Sequence, residues 1–324
     1  MSMQLIVTGA PHIHSRSDVS KLMWNVVIAM LPALGVALWT FGMPALKVIG
    51  ISLAACLLTE WLIARFLLHK PFTLFNGSAV ITALLLAFNL PSILPWWMVV
   101  IGAVVAIGIG KMSFGGLGCN IWNPALVGRV FLLLSFPAAM TTWPVDVPSG
   151  VDAVTGATYL SQLKHEGAAA LQSGTDYLGM AVGHMNGSLG EVGSIAILVG
   201  LVWLLATRTI TWHIPVSVLG GAALMSWALG GSPLIVLLSG GLMLGAVFMA
   251  TDYVTSPMTH SGQLIFGVMI GVITIIIRRF GAYPEGVSFA ILLMNSFVPL
   301  INRYTRPQIF GAREAARAAK GGAR

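Results

Sequence analysis

The sequence predicts an all-α polytopic membrane protein of about ten transmembrane helices, arranged as two inverted five-helix repeats. Three observations predict this: apolar runs of spanning length, a scarcity of charge, and a weak internal offset relating the two halves. Only 8% of residues are charged while 57% are hydrophobic, and mean hydropathy is +0.89. Soluble domains carry roughly 25% charged residues, so a water-exposed globule is excluded. A helix needs about 20 apolar residues to cross a hydrocarbon core about 30 Å thick. Backbone groups in lipid must be satisfied internally, which leaves helices or a closed barrel. The apolar runs are continuous, not the roughly 10-residue alternations of a barrel strand, so helices are expected.

Taken in order, residues 1–21 are polar, with Arg16, Asp18 and Lys21 ahead of the first apolar run. They read as a cytoplasmic tail rather than a cleavable signal. A first five-helix repeat over 22–137 contains runs near 22–41, 46–68, 78–94, 96–111 and 121–137. A polar outer-face loop spans 138–190. The second repeat, 191–302, contains runs near 191–206, 212–230, 233–251, 262–279 and 286–302, and a basic cytoplasmic tail fills 303–324. Pro and Gly punctuate the joints, among them Gly42, Pro44, Pro71, Pro91, Pro95, Pro215, Pro233, Pro257 and Pro284.

Five helices per half place two similar halves in opposite orientations. Pro91 and Pro257 stand 166 residues apart, and Gly110-Lys111 through Gly115 resembles Arg278-Arg279-Phe280-Gly281 at nearly that offset. Inverted repeats locate a binding site near the midplane, beside interrupted helices.

Basic residues set the orientation. With the N-terminus inside, Arg65, His69, Lys70, Lys111, Arg208 and the tail all fall on the cytoplasmic side. From Arg303 to Arg324 six basic residues face one acid, which supplies +5 of the formal +7. The outer loop instead holds Asp146, Asp152, Glu166 and Asp176 against Lys164. Arg278 and Arg279 fall on the outer side against this trend; interfacial snorkelling accounts for them, and a phosphate or a neighbouring subunit is the other option. Cys56 and Cys119 have no ligand spacing, so neither a disulfide framework nor a self-contained iron–sulfur site can be built from them.

Few residues carry chemistry. The outer loop contains Asp152-Ala-Val-Thr155-Gly156-Ala157-Thr158. Its small residues let another protein's active site close around it, and Thr158 is left as an acceptor hydroxyl. No His–Asp relay lies nearby, so Thr158 is an acceptor and not a nucleophile. As an acceptor it can form a phosphodiester to a phosphate-bearing cofactor. A second block, Gly115-Gly116-Leu-Gly118-Cys119-Asn120 to Arg129, places Asn120 and Asn123 three residues apart. On a helix they share a face, either toward a ring edge or toward another helix. Asn123-Pro124-Ala125 evokes water channels, but the second half has no counterpart tripeptide. Asp252, in Met249-Ala-Thr251-Asp252-Tyr253-Val-Thr255-Ser256-Pro257, is either an ion-path residue or an interfacial cap. Glu60 lies within the second run, where Arg65 offers an interfacial partner.

Three blocks together carry a resemblance: Asn120 to Arg129, the following Val130 to Pro137, and Asp152 to Thr158. With Met249 to Pro257, they resemble the family of RnfD, the D-type membrane component of the bacterial Rnf electron-transport complex. They are similar, more distantly, to the B-type component of the Na⁺-translocating NADH:quinone oxidoreductase. The resemblance implies a urea-transporter-like fold in the bacterial inner membrane, with both termini cytoplasmic and the Thr158 loop periplasmic. It implies FMN joined through its phosphate to Thr158 by a separate flavin transferase, with Asp152, Thr155, Gly156 and Ala157 completing the recognition motif. It also implies a non-covalent riboflavin held by Asn120 and Asn123. The implied partners are iron–sulfur and second flavin subunits of the complex and the lipid bilayer, with no nucleic acid. The stretch ahead of the first helix is shorter than in the quinone-reducing counterpart, which favours the ferredoxin and NAD branch. The protein would act only within its complex, coupling electron transfer to Na⁺ or H⁺ movement. The rival reading is a small-solute transporter or channel of the same fold with no redox role; a scaffold subunit without cofactor is a third.

Overall fold

The computed structural model describes residues 18–69, 74–144, 155–156, 177–183, 187–281 and 285–307. Among them, helix dominates, and the all-α membrane class expected from composition holds. Four helical stretches are long and apolar enough to span a bilayer: Val19–Leu67, Trp96–Phe114, His260–Phe280 and Val287–Tyr304. Four shorter apolar helices accompany them: Ser78–Phe88, Pro124–Ser135, Ser194–Ala206 and His213–Ala228.

The first helix, α1 (Val19–Leu62), starts where the Asp18 carboxylate accepts from the Val19 amide at 2.8 Å, and runs on through a π turn, Ile63–Leu67. Forty-nine residues of helix would measure about 74 Å, more than twice the hydrocarbon thickness. Gly42 interrupts it with φ 59° and ψ −135°, a conformation open to glycine, and divides it into the two runs expected at 22–41 and 46–68.

Two expected spans are corrected. The run over 78–94 is helical only as α2 (Ser78–Phe88), because Pro91 and Pro95 cannot donate to a helical ladder. The carbonyls freed at its end are taken up from the other half of the chain: Gly190 N donates to Phe88 O at 2.7 Å and Leu189 N to Leu90 O at 3.3 Å. Next come α3 (Trp96–Val104), continued by a π turn to Ile109, then α4 (Pro124–Ser135) and the short α5 (Pro137–Met140). Within the 138–190 interval lies α6 (Tyr177–Val182), and beyond it come α7 (Ser194–Ala206) and α8 (His213–Ala228). The run over 233–251 is the second correction. It splits into α9 (Pro233–Leu238) and α10 (Leu242–Leu244), the latter carried by a π turn through Met249. Ser239 is extended at φ −94°, ψ 144°, which separates the two pieces. The chain ends in α11 (His260–Phe280) and α12 (Val287–Tyr304).

Small residues let the helices meet backbone to backbone, as expected where lipid supplies no hydrophobic drive between helices. A Cβ on Gly128 of α4 would stand 2.6 Å from Gly102 O of α3, and one on Gly221 of α8 would stand 2.7 Å from Val268 O of α11. Gly128→Val is therefore expected to force α4 from α3 at a cost of about 1–3 kcal/mol. The expected result is a melting temperature several degrees lower for the detergent-solubilised chain; an unchanged melt would show that the contact is loose.

Candidate functional site

The break after Met249 and the loop before α4 face each other across the bundle, and a cavity of about 70 Å³ lies between them. Its polar lining is Ser78, Thr82, Lys111, Asn120, Asn123, Thr251, Asp252 and Tyr253, with Ile81, Leu85, Leu204 and Phe248 among its apolar walls. At roughly 10–15 Å³ per water the void holds about five waters or a hydrated cation. It is smaller than the roughly 300 Å³ that encloses a small organic ligand.

Lys111 is anchored by two bonds, donating to Glu60 Oε2 at 2.7 Å and to Ser78 Oγ at 2.8 Å. Glu60 is 3% exposed and Lys111 2%. The expected interfacial pairing of Glu60 with Arg65 is thus corrected: the acid points inward and its partner comes from 51 positions along the chain. A buried carboxylate in an apolar run requires such a cation, and Lys111, closing the fourth run, is a base that could have been proposed from sequence.

Asp252 lies in the stretch of turns and bends between the π turn and α11. Its Oδ2 accepts from Thr255 Oγ1 at 3.1 Å, and the Val254 amide and Asn120 side chain also bond it. The N-cap of α11 is Thr259, whose Oγ1 accepts from Gly262 N at 3.1 Å. Asp252 therefore braces its own turn while lining the cavity. Lys111 and Glu60 balance one another, so Asp252, when ionised, is the cavity's uncompensated charge, and burial pushes its carboxyl above the usual carboxylate range. That is the electrostatic setting for a monovalent cation or a proton.

Both asparagines predicted from the sequence reach this cavity, each with a backbone duty. Asn123 caps α4, its Oδ1 accepting from Ala125 N at 3.1 Å, and its Nδ2 donates to Met249 O at 3.3 Å. Asn120 Nδ2 donates to Trp122 O at 3.1 Å. The two asparagine amides, with the Ser78 and Thr82 hydroxyls, can both donate to and accept from the edge of a planar heterocycle. The whole ring would enter only with repacking of the apolar walls. In the outer loop, Thr155 and Gly156 pair antiparallel with Pro144 and Trp143 respectively, which ties the motif to the membrane end of α5. Asp152, Ala157 and Thr158 lie outside the described residues.

A second polar group was not anticipated from sequence. Arg129 of α4 is paired with Glu285 and donates to Asn89 Oδ1 and Ser288 Oγ, both at 2.7 Å. Arg278 does not snorkel, which corrects the sequence expectation. It is 8% exposed and donates to Val236 O at 3.0 Å and Ser239 O at 3.2 Å. These carbonyls are left unpaired where α9 ends, and a guanidinium at a helix C-terminus satisfies both their lone pairs and the local dipole. Arg279, its neighbour, is exposed.

Over residues 6–311 the chain matches the model of the NQR2, RnfD, RnfE family. The chain belongs to this family. It is 44% identical over 319 residues to the D component of the proton-translocating ferredoxin:NAD(+) oxidoreductase complex of Clostridium ljungdahlii, covering 95% of this chain and 96% of that one. It is also 44% identical over 318 residues to the Na(+)-translocating counterpart of Acetobacterium woodii, covering 98% and 99%. The D component of the ion-translocating oxidoreductase complex of Stutzerimonas stutzeri is 40% identical over 330 residues, covering 91% and 93%. The Rnf-type resemblance read from the motifs is therefore met over nearly the whole chain. Two relatives at equal identity bear names with different ions, so overall likeness within the family does not select between H⁺ and Na⁺.

Proposed function

We propose that this chain is the flavin-carrying membrane subunit of an Rnf-type complex that couples electron transfer between ferredoxin and NAD to translocation of Na⁺ or H⁺. The observation that carries this is the 44% identity, across 95% and 98% of this chain, to the D components of two ion-translocating ferredoxin:NAD⁺ oxidoreductases. The chain works as one part of a multi-subunit oxidoreductase in the bacterial inner membrane, beside iron–sulfur and second flavin subunits.

Its fold in this reading is two inverted five-helix repeats with both termini cytoplasmic and the Thr158 loop periplasmic. Supporting this, each half contains a short helix that ends in a break of turns and bends: Phe88 before Asn89–Pro95, and Met249 before the stretch to Thr259. Each break is followed by a helix from another run; the cavity is lined by α2 residues ahead of the first break and by Thr251 to Val254 of the second.

Thr158 is the acceptor for FMN, its hydroxyl forming the phosphoester with help from a flavin transferase; Asp152, Thr155, Gly156 and Ala157 form the sequence that enzyme grips. Asn120 and Asn123 hold a non-covalent riboflavin by its ring edge. When bound, the flavins supply one-electron chemistry, and the chain supplies position and dielectric. Asp252, with Asn120 and Thr255 around it, binds the translocated ion. Lys111 is held by Glu60 and keeps the cavity from carrying a second net negative charge.

The test is the complete complex in proteoliposomes: reduced ferredoxin and NAD⁺ are expected to drive ion uptake that disappears when this subunit is omitted. Uptake persisting without it would refute the reading. Changing Asn120 and Asn123 together to Leu is expected to deplete riboflavin from the purified complex by at least about tenfold while α4 loses a cap worth about 1 kcal/mol. Unchanged riboflavin content would remove both residues as ligands.

A further inference from the structure

The buried charges around α4 and α11 do more than pair. Seven buried side-chain atoms among the described residues have no hydrogen-bond partner, and six fall in this one group: Arg129 Nε, Arg278 Nε, Glu191 Oε1, Glu285 Oε1, Ser188 Oγ and Ser239 Oγ. Glu191 is 3% exposed, with Oε2 accepting from Ser188 N at 3.1 Å; the Gly241 amide also faces the carboxylate, but outside the geometry of a full hydrogen bond to Oε1. Gly241 joins the surroundings of Glu191 and Arg129, since a Cβ there would stand 3.5 Å from Glu191 Oε1 and 4.0 Å from Arg129 Nη1. Unpartnered donors and acceptors together call for a species that both donates and accepts, which is water.

This group is linked to the Asp252 cavity by polar atoms. Asn123 Nδ2 bonds Met249 O, Asn89 Nδ2 lies 3.8 Å from Met249 Sδ, and Arg129 reaches Asn89 Oδ1. Glu191 precedes α7, whose far end carries the cavity residue Leu204. Ten residues of helix between Ser194 and Leu204 are about 15 Å, so the two sites lie at different depths.

We propose that Glu191 is a proton-binding site on the outer half of the translocation path, reached from the Asp252 cavity through water held by the Arg129, Arg278, Glu285 and Ser239 side chains. The proposal rests on the ion-translocating reading above. Arg129 and Arg278 flank Glu191, and Glu285 is paired to Arg129, so two cations balance two anions; the group has no net negative charge to hold a metal cation, while a proton can bond directly to the carboxylate. In the step, a hydronium ion in the cavity gives up one proton and becomes water; the proton forms an O–H bond on the Glu191 carboxylate, and that bond breaks again as the proton passes to water outside, with no electron moved.

The experiment uses the complete complex in proteoliposomes, with lumenal pH followed by an entrapped dye and Na⁺ by a radioactive tracer. Glu191→Gln is expected to cut redox-driven acidification at least tenfold, while electron transfer with a protonophore present and flavin content stay within twofold of wild type. Glu191→Asp, which keeps the titratable group, is expected to restore acidification to within threefold. Wild-type acidification by Glu191→Gln would overturn the proposal and leave the function standing. Gln and Asp variants behaving alike would make Glu191 a structural residue and also overturn it. Tracer uptake in wild type with no protonophore-sensitive acidification would overturn the proton site alone. No ion movement of either kind in wild type would overturn the underlying reading as well.

Discussion

Asp252→Asn is expected to abolish redox-driven ion accumulation by the complete complex while leaving the chain folded. The carboxylate, when ionised, gives the cavity its one net negative charge, because Lys111 and Glu60 cancel. A unit charge at about 4 Å and an effective dielectric near 20 is worth about 4 kcal/mol. Removing it would weaken cation binding by roughly 10³-fold. Asparagine keeps the shape, and its oxygen can still accept from Thr255 Oγ1 as Oδ2 does at 3.1 Å. The loss should therefore appear in ion uptake by proteoliposomes and not in protein yield. A gradient of wild-type size in the variant would assign Asp252 to bracing its turn alone.

Lys111→Met should be the most damaging single change to stability. It strands Glu60, 3% exposed, without its cation and without the link to Ser78. Breaking one side of a buried ion pair costs about 3–5 kcal/mol. The double variant Lys111→Met, Glu60→Gln removes both charges and should recover most of that loss, because the neutral amide costs far less to bury. Size-exclusion recovery after a heating series in detergent reads both: the single variant should be lost at temperatures where the double variant survives. Equal behaviour of the single and double variants would mean that the pair is not coupled.

Much of the fold was legible because its causes are local. The Gly42 joint, the apolar runs and the prolines at 91, 95 and 257 all act through their own backbone, and their breaks fall where those residues stand. Run length alone misled at 78–94 and 233–251, since an apolar sequence looks the same whether helical or extended. Non-helical backbone inside the bundle survives only when distant groups satisfy it, as Gly190 and Leu189 do for Phe88 and Leu90. The ionisable partners were illegible for the same reason. Glu60 finds Lys111 51 positions away, and Arg278 is buried only because α9 ends beside it with free carbonyls. A sequence shows that such a residue needs a partner without showing which one folding delivers. Among the site residues, Asn120, Asn123 and Asp252 were found individually by residue type. Their convergence on one cavity came from the facing of the two breaks.

The central claim is that this chain carries covalent flavin on its outer loop. The most direct measurement is in-gel flavin fluorescence of the chain co-expressed with a flavin transferase, denatured, and compared with Thr158→Val. A fluorescent band that survives denaturation in the wild type and is absent from the variant is the predicted result. A band that persists in Thr158→Val, or none in the wild type, would contradict it.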